Sequence, residues 1–446
     1  MDPTLIGLCA FSAVLVMLAL RVPIAFALAS AAAVGTFFFF AMRTGVFAPE
    51  RAIRPTASLV FSNAFDLMHS YNLSMIPLFV ALGHIAHRAH ITTNIYHAAK
   101  VWLTRLPGGV AIASIVGCGG FSAITGSSIA CASTMGRICT PEMMRMGYSA
   151  RLATATVAAG GTLGSLIPPS VLFIIYGIFT ETSISKLFLA GVLPGILTLA
   201  GFILVISVWV WRDPDVAPSE GISYSAADKL QAGALAWPAM LLFVLIIGGI
   251  YGGIFTATEA AAVSLLAATV IGFLQGKLTA SGVWESFRET CIQTTSIFLI
   301  AAGAKIFAAF IALTGMAPAL VDTVTATDPS VFVLMICFAV IYLVLGMFLD
   351  PIGIMVLTLP LMIPLVDSYG LNLIWFGVVI IKLLEIGLIT PPVGLNVFVI
   401  SSVVGREVPI DQIFSGVLRF LTVDILVLIL IMAIPAISLL LPDMMR

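Results

Sequence analysis

Charge is what this 446-residue chain has least of. Only 9% of its residues are Asp, Glu, Lys or Arg, where soluble domains run near 25%. That shortage excludes a large soluble enzyme. The net charge is −1 and no Lys/Arg-rich run occurs, so the chain has no electrostatic footprint for nucleic acid. It lacks a Walker A motif and does not itself hydrolyse ATP. It has no HExxH pair and no GxSxG elbow with a His–acid partner set at membrane depth, which argues against a zinc peptidase or an intramembrane hydrolase. No motif for an organic cofactor appears. Cys9, Cys118, Cys131, Cys139, Cys291 and Cys337 form no CxxC pair and all fall in apolar stretches, so free buried thiols are expected. The N-terminus carries Asp2-Pro3 in place of a basic n-region, with no AxA-like cleavage site. Its first apolar segment therefore reads as a retained span, not a signal peptide.

What remains is apolar: 61% of the residues are hydrophobic, which makes this an integral membrane protein. Leu5–Leu20 and Ile24–Met42 each reach spanning length, with Arg21-Val22-Pro23 between them. Residues 43–72 are mixed. Leu73–Ile85 reads as a third span kinked at Pro77, and His87–Arg105 as an amphipathic segment along the membrane surface. Gly108–Ile124 and Ile129–Met144 flank Thr125-Gly126-Ser127-Ser128 and read as a re-entrant helical hairpin, residues 108–145. Residues 148–180 read as a broken span, interrupted from Gly160-Gly161 through Pro168-Pro169-Ser170, and Leu187–Trp211 as a full one. The long polar stretch at residues 212–232 divides the chain into halves, 1–211 and 233–446.

The second half repeats this plan. Leu235–Ile250 and Thr258–Gln275 are expected spans, Ser281–Glu289 an amphipathic connection and Thr290–Leu313 a span. A second hairpin at residues 330–368 breaks at Leu349-Asp350-Pro351-Ile352-Gly353. A second broken helix at residues 372–404 is interrupted at Thr390-Pro391-Pro392, and Ile413–Leu440 is the last span. Gly83 matches Gly303, Pro107 Pro329, Pro168-Pro169 Pro391-Pro392, and Gly191-Val192-Leu193 Gly416-Val417-Leu418, at separations of 220, 222, 223 and 225. So slow a drift marks an internal repeat. About five full spans plus one hairpin per half force the second copy upside down. The fold class expected is an all-α polytopic membrane protein of two inverted repeats, with hairpin tips and broken helices meeting at the midplane. Arg21, Arg88, Lys100, Arg105, Arg145, Arg151, Arg212, Lys229, Lys277, Arg288 and Arg406 outnumber Arg43, Arg51, Arg54, Lys186 and Arg446 on the other side. The first set is expected to face the cytoplasm, with residues 212–232, and both termini the outside.

Breaking a helix in lipid strands backbone polar groups unless protein or water receives them. The tip Gly126-Ser127-Ser128 gathers carbonyls and hydroxyls, hard oxygen ligands for a small cation, and a helix N-terminus that suits a carboxylate. Small residues at such a tip also let helices pack closely; the inverted partner and the nearby double proline favour binding. At the second break, prolines remove donors and free carbonyls near Gly387–Thr390, and Asn396 lies about a turn beyond. Asp350 is poised to cap the returning helix, to ligate an ion, or both. The deepest ionisable candidates are Asp350, Glu259, Lys305, Lys382, Glu385 and Asp424. Lys382 and Glu385, at i and i+3, either neutralise each other or carry function. His84, His87 and His90 read as interfacial polar residues, not a metal site.

The blocks ITGSSIACASTMGRICTPEM, GYSARLATATVAAGGTLGSLIPPSVLFIIYG, SISKLFLAGVLPGIL and GMFLDPIGIMVLTLPLMIPL…LLEIGLITPPVGLNVFVI resemble the large membrane subunit, or DctM-type permease, of tripartite ATP-independent periplasmic (TRAP) transporters. The resemblance runs from LRVPIAFAL to the last span. It implies a bacterial inner-membrane secondary transporter of organic acids driven by sodium. It also implies an elevator in which hairpins and broken helices slide against a scaffold of the other spans. The implied partners are a small four-helix membrane subunit (DctQ-type) and a periplasmic substrate-binding protein (DctP-type), and the length suggests that the small subunit is not fused. The implied sodium sites are Ser127, Ser128 and the Gly161–Ser165 region (with Thr162 and Gly164), and Asp350, Gly353 and the Gly387–Pro391 carbonyls. Substrate would lie between the tips. Together with the break residues, the candidate set is Thr125, Gly126, Ser127, Ser128, Gly161, Thr162, Gly164, Ser165, Pro168, Pro169, Asp350, Pro351, Gly353, Gly387, Thr390, Pro391, Pro392 and Asn396, with sodium near Ser127, Ser128, Asp350 and Thr390. Many relatives carry an acidic residue just after the first tip, where this chain has Ile129-Ala130-Cys131-Ala132. The rival readings are a single-component sodium–dicarboxylate carrier and a channel or non-transporting scaffold.

Overall fold

The computed structural model describes residues 2–43, 46–218 and 224–445, with the Arg406 side chain outside that description. Among the described residues every regular element is helical. The first half contains α1 (Pro3–Ala19), α2 (Ile24–Ala41), α3 (Pro49–Met68), α4 (Met75–Arg88), α5 (Ile91–Leu103), α6 (Gly109–Thr125), α7 (Ser128–Arg145), α8 (Ala150–Leu166), α9 (Val171–Thr180) and α10 (Ile184–Arg212). The second contains α11 (Ala226–Leu235), α12 (Trp237–Phe243), a π-helical turn at Val244–Gly248, α13 (Gly249–Tyr251), α14 (Ala257–Leu274), α15 (Ala280–Thr314) and α16 (Met316–Thr325). It continues with α17 (Val331–Gly346), α18 (Pro351–Ser368), α19 (Leu373–Ile389), α20 (Leu395–Val404), α21 (Ile410–Ala433) and α22 (Ala436–Met444). Among the described residues seven helical segments, with α8 and α9 taken together as residues 150–180, are long and apolar enough to cross a membrane, or eight if the bent pair α11 and residues 237–251 counts as one.

Local sequence sets the boundaries. A short polar side chain opens most re-entering helices by accepting a backbone N–H that the helix cannot satisfy. Ser127, Ser149, Ser170 and Ser183 do this for α7 to α10. Ser330, Asp350 and Asn372 do it for α17 to α19. The five consecutive helices beginning at residues 109, 128, 150, 171 and 184 thus recur at 331, 351, 373, 395 and 410. The halves also interlock: α2 packs on α15, and α14 on α4. One apolar cluster fills the space around α2, α4, α15, α18 and α19. A second lies around α6, α7, α8, α20 and α21.

Several boundaries differ from the sequence expectation. Residues 280–314 form one helix of 35 residues, not a connection followed by a span. No proline interrupts it, and Arg88 at the end of α4 pairs with Glu285 (3.1 Å) and Glu289 (2.8 Å), holding the polar turns in helical register. At 1.5 Å per residue it is roughly 50 Å long, so part of it projects beyond the hydrocarbon core. The expected last span is instead two helices, parted at Ile434-Pro435, because proline removes a donor and blocks propagation. The mixed stretch after residue 43 forms the amphipathic helix α3, the expected third span is the 14-residue α4, and α16 was not anticipated. Helix α11 begins inside the expected linker, of which residues 219–223 lie outside the described residues. Glu259 is not deep: it closes a capping box with Thr256 at the start of α14 and is exposed. Cys118, Cys131 and Cys139 are buried free thiols, but Cys9, Cys291 and Cys337 lie on outward faces.

Candidate binding site

The two hairpin tips meet. One cavity of about 100 Å³ is lined by Gly126, Ser127 and Ser128 from the first tip and by Asp350, Pro351 and Ile352 from the second. Ser165 of α8, Leu388 of α19, Gln293 and Ile297 of α15, Ile129 of α7, and Val171 and Leu172 of α9 complete its wall.

The first tip is held by backbone contact. Gly126 ends α6 with φ +62°, a left-handed conformation that favours glycine. Its carbonyl accepts from the Val171 N–H at 3.2 Å, which docks the tip on the break between α8 and α9. A Cβ there would lie 2.2 Å from the Pro169 carbonyl oxygen, so both backbone and space require glycine. Ser127 caps α7, and the Ser128 and Ser165 hydroxyls share a hydrogen bond of 2.6 Å. Thr125 turns its hydroxyl back to the Phe121 carbonyl.

Gly160, Gly161 and Gly164 do not interrupt the helix as expected. Helix α8 runs unbroken to Leu166, and the break is confined to residues 167–170. These glycines admit neighbours instead. A Cβ on Gly161 would lie 2.8 Å from the Ala132 side chain, and one on Gly164 2.6 Å from the Ser127 backbone. Thr162 bonds the Ala159 carbonyl within α8.

At the second tip, Asp350 caps α18 by accepting the Gly353 N–H at 2.9 Å. Gly387 meets Gly346 backbone to backbone, where a Cβ would sit 2.8 Å from the Gly346 Cα. The carbonyls ahead of the double proline are partly engaged: Gly387 accepts the Thr390 N–H, and Ile386 the Thr390 hydroxyl. Thr390, Pro391, Pro392 and Pro169 do not line the inter-tip cavity, and Pro168 faces a separate apolar pocket beside α12. Asn396 is fully buried, donates to the Ala158 carbonyl at 3.4 Å, and leaves Oδ1 unpartnered.

Lys382 makes its direct ion pair with Asp424, not with Glu385. Its ammonium reaches the Asp424 carboxylate on α21 at 2.5 Å and the Thr198 hydroxyl on α10 at 3.1 Å, with all three residues fully buried. The Glu385 carboxyl lies within reach of the Lys382 charge and of the backbone N–H groups of Ser165 and Leu166, with no hydrogen bond of normal geometry. Residues three apart on a helix share a face, but long side chains from that face reach different neighbours. Gln293 was missed. It is a lone amide in the apolar run after Cys291, and also touches the His84 ring at 3.3 Å. His84 faces Glu289 at 3.2 Å, and no group of three or more His, Cys, Asp or Glu side chains suited to a metal occurs among the described residues.

Two capped helix N-termini, serine hydroxyls, a carboxylate and an amide thus face one small space. Oxygen donors of this type suit a hard cation, and the N-termini of α7 and α18 suit a negatively charged group.

The comparisons agree on what kind of chain carries this site. The model of the family described as tripartite ATP-independent periplasmic transporter, DctM component, matches residues 11–437. The C4-dicarboxylate TRAP transporter large permease protein DctM of Pseudomonas aeruginosa is 33% identical over 380 residues, 85% of this chain and 88% of that protein. The sialic acid TRAP transporter large permease protein SiaM of Vibrio cholerae is 32% identical, over 84% of this chain and 87% of that one. The isethionate TRAP transporter permease protein DctMQ of Oleidesulfovibrio alaskensis is 30% identical over 84% of this chain, which spans 58% of that longer protein. Among solved structures, the YdaH transporter of Alcanivorax borkumensis superposes with a TM-score of 0.65 at 14% identity, covering 99% of this chain and 98% of that one. MtrF of Neisseria gonorrhoeae gives 0.59 at 14% identity, over 86% and 84%. The last two share the fold alone. The chain belongs to the DctM family, the large permease component of tripartite ATP-independent periplasmic transporters.

Proposed function

We propose that the chain is the membrane carrier of a secondary transporter that imports an organic acid through the bacterial inner membrane by sodium symport. The observation that carries this reading is the convergence of both hairpin tips on one cavity with hydroxyl, carboxylate and amide oxygens. Sodium binds near Ser127 and Ser128, with a second site at Asp350 toward Thr390, and a substrate carboxylate lies against the helix N-termini. Relatives are named for C4-dicarboxylates, sialic acid and isethionate, anions at neutral pH, and one for ectoine, a zwitterion that also carries a carboxylate; the acidic group they share supports an organic acid as substrate. Substrate arrives from a periplasmic binding protein, a small four-helix subunit steadies the scaffold, and the hairpins move with the broken helices as an elevator. Because both hairpin tips line the cavity, the site travels with the moving hairpins past the scaffold.

Uptake into proteoliposomes tests the reading. With the small subunit and binding protein present, an inward sodium gradient is expected to drive accumulation, and potassium at equal ionic strength to abolish it. Full accumulation without the binding protein would favour a single-component carrier; accumulation indifferent to sodium would sink the symport reading. On this reading both termini face the outside and the start of α11 faces the cytoplasm. A cysteine at Asp443 should therefore react with an impermeant maleimide in spheroplasts, and one at Ala227 only after permeabilisation. The reverse pattern would invert the topology.

A further inference from the structure

We propose that the groove between the start of α8, the end of α10 and α21 binds the headgroup of an anionic phospholipid. A cavity of about 610 Å³ opens there, lined by Arg151, Arg212, Arg419 and Trp209, with Asp213 as its one acidic residue. The Arg419 guanidinium lies 3.7 Å from the centroid of the Trp209 ring, and that of Arg151 lies 5.7 Å from it on the same indole. Arg151 donates to the Ser415 carbonyl at 2.9 Å, which fixes its direction. Arg151 Nε and Arg419 Nη1 are buried without a hydrogen-bond partner. None of the three arginines makes an ion pair with any described carboxylate. Three guanidinium groups against one carboxylate leave an excess of positive charge that a phosphate would offset, and guanidinium forks match phosphate oxygens.

The walls decide for a lipid over a soluble anion. Leu204, Val208 and Leu418 line the same cavity and are 61%, 37% and 49% exposed. They lie on α10 and α21, both long enough to span, so the aliphatic strip continues from the arginines along the helices, where acyl chains run. Basic pockets between membrane helices bind anionic headgroups by this combination, and tryptophan favours the interfacial level.

The test uses the purified full-length permease, delipidated in mild detergent and offered phosphatidylglycerol or phosphatidylcholine of matched chains, with bound lipid read by native mass spectrometry. The wild type should retain phosphatidylglycerol with a preference of roughly tenfold or more. Arg151→Gln/Arg419→Gln should lose that preference while eluting as a single species. Should the double variant fail to fold, Arg212→Gln alters only an exposed rim residue and should still lower the preference. Equal preference in wild type and in every folded variant would overturn the proposal. So would inorganic phosphate that displaces bound phosphatidylglycerol at millimolar concentration and stabilises the protein equally well, because the site would then take a soluble anion.

Discussion

Lys382→Met is expected to prevent the permease from assembling in a stable, monodisperse form. The ammonium is fully buried between the Asp424 carboxylate and the Thr198 hydroxyl. Removing it leaves Asp424 without a counter-charge, and Asp424 Oδ2 already lacks a partner. The Glu385 carboxyl, one turn on, adds a second buried acid. Breaking a buried ion pair from one side costs about 3–5 kcal/mol, whereas replacing both partners by packed apolar groups is often neutral. The double variant Lys382→Met/Asp424→Leu should therefore recover most of the lost stability, and Asp424→Leu alone should not match wild type. Size-exclusion profiles and thermal melting in detergent read the effect. A single Lys382→Met variant that melts with the wild type would mean that the pair contributes nothing to holding α19 on α21 and α10.

That pair also marks where sequence reasoning ends. Lys382 and Glu385 stand three residues apart, so helical geometry offered their mutual neutralisation, and only the packing of α19 between α10 and α21 chose Asp424. Elements were legible where punctuation was strong. Thr125-Gly126-Ser127-Ser128 and Asp350-Pro351 stop one helix and cap the next, and those corners stand where the residue types put them. Punctuation misled where its second use prevailed. Gly160-Gly161 resembles a break, but in a buried helix small residues serve close approach equally well. Gln293 was invisible because a lone amide in an apolar helix acquires meaning only when α15 carries it to the tips. The groove of Arg151, Arg212 and Arg419 draws its three arginines from α8, the end of α10 and α21, and no local pattern joins them. Pairwise matches across the halves, by contrast, exposed the repeat at once, since its signal is carried by order rather than by packing.

Asp350→Asn separates what Asp350 does for the fold from what it does for transport. As the cap of α18 it accepts the Gly353 N–H, and asparagine performs that task about as well as aspartate. Helix α18 should keep its start, and melting should stay near wild type. As a lining group of the inter-tip cavity, however, the side chain would lose its negative charge. A contact to a charged group contributes about 1.5–3 kcal/mol against about 0.5–1.5 for a neutral one, a difference of about 1–1.5 kcal/mol, so the apparent sodium affinity should fall by roughly five- to tenfold. Uptake at a low sodium gradient should collapse and return in part when external sodium is raised. Asp350→Ala loses both roles: it should show the same transport defect and also lose about 0.5–2 kcal/mol of stability from the missing cap. Serine at the same position restores a cap without a charge, and should restore melting but not uptake. The opposite outcome, an asparagine variant with unchanged sodium dependence beside an alanine variant that melts early, would reduce Asp350 to a helix cap and move the ion to the serines of the first tip.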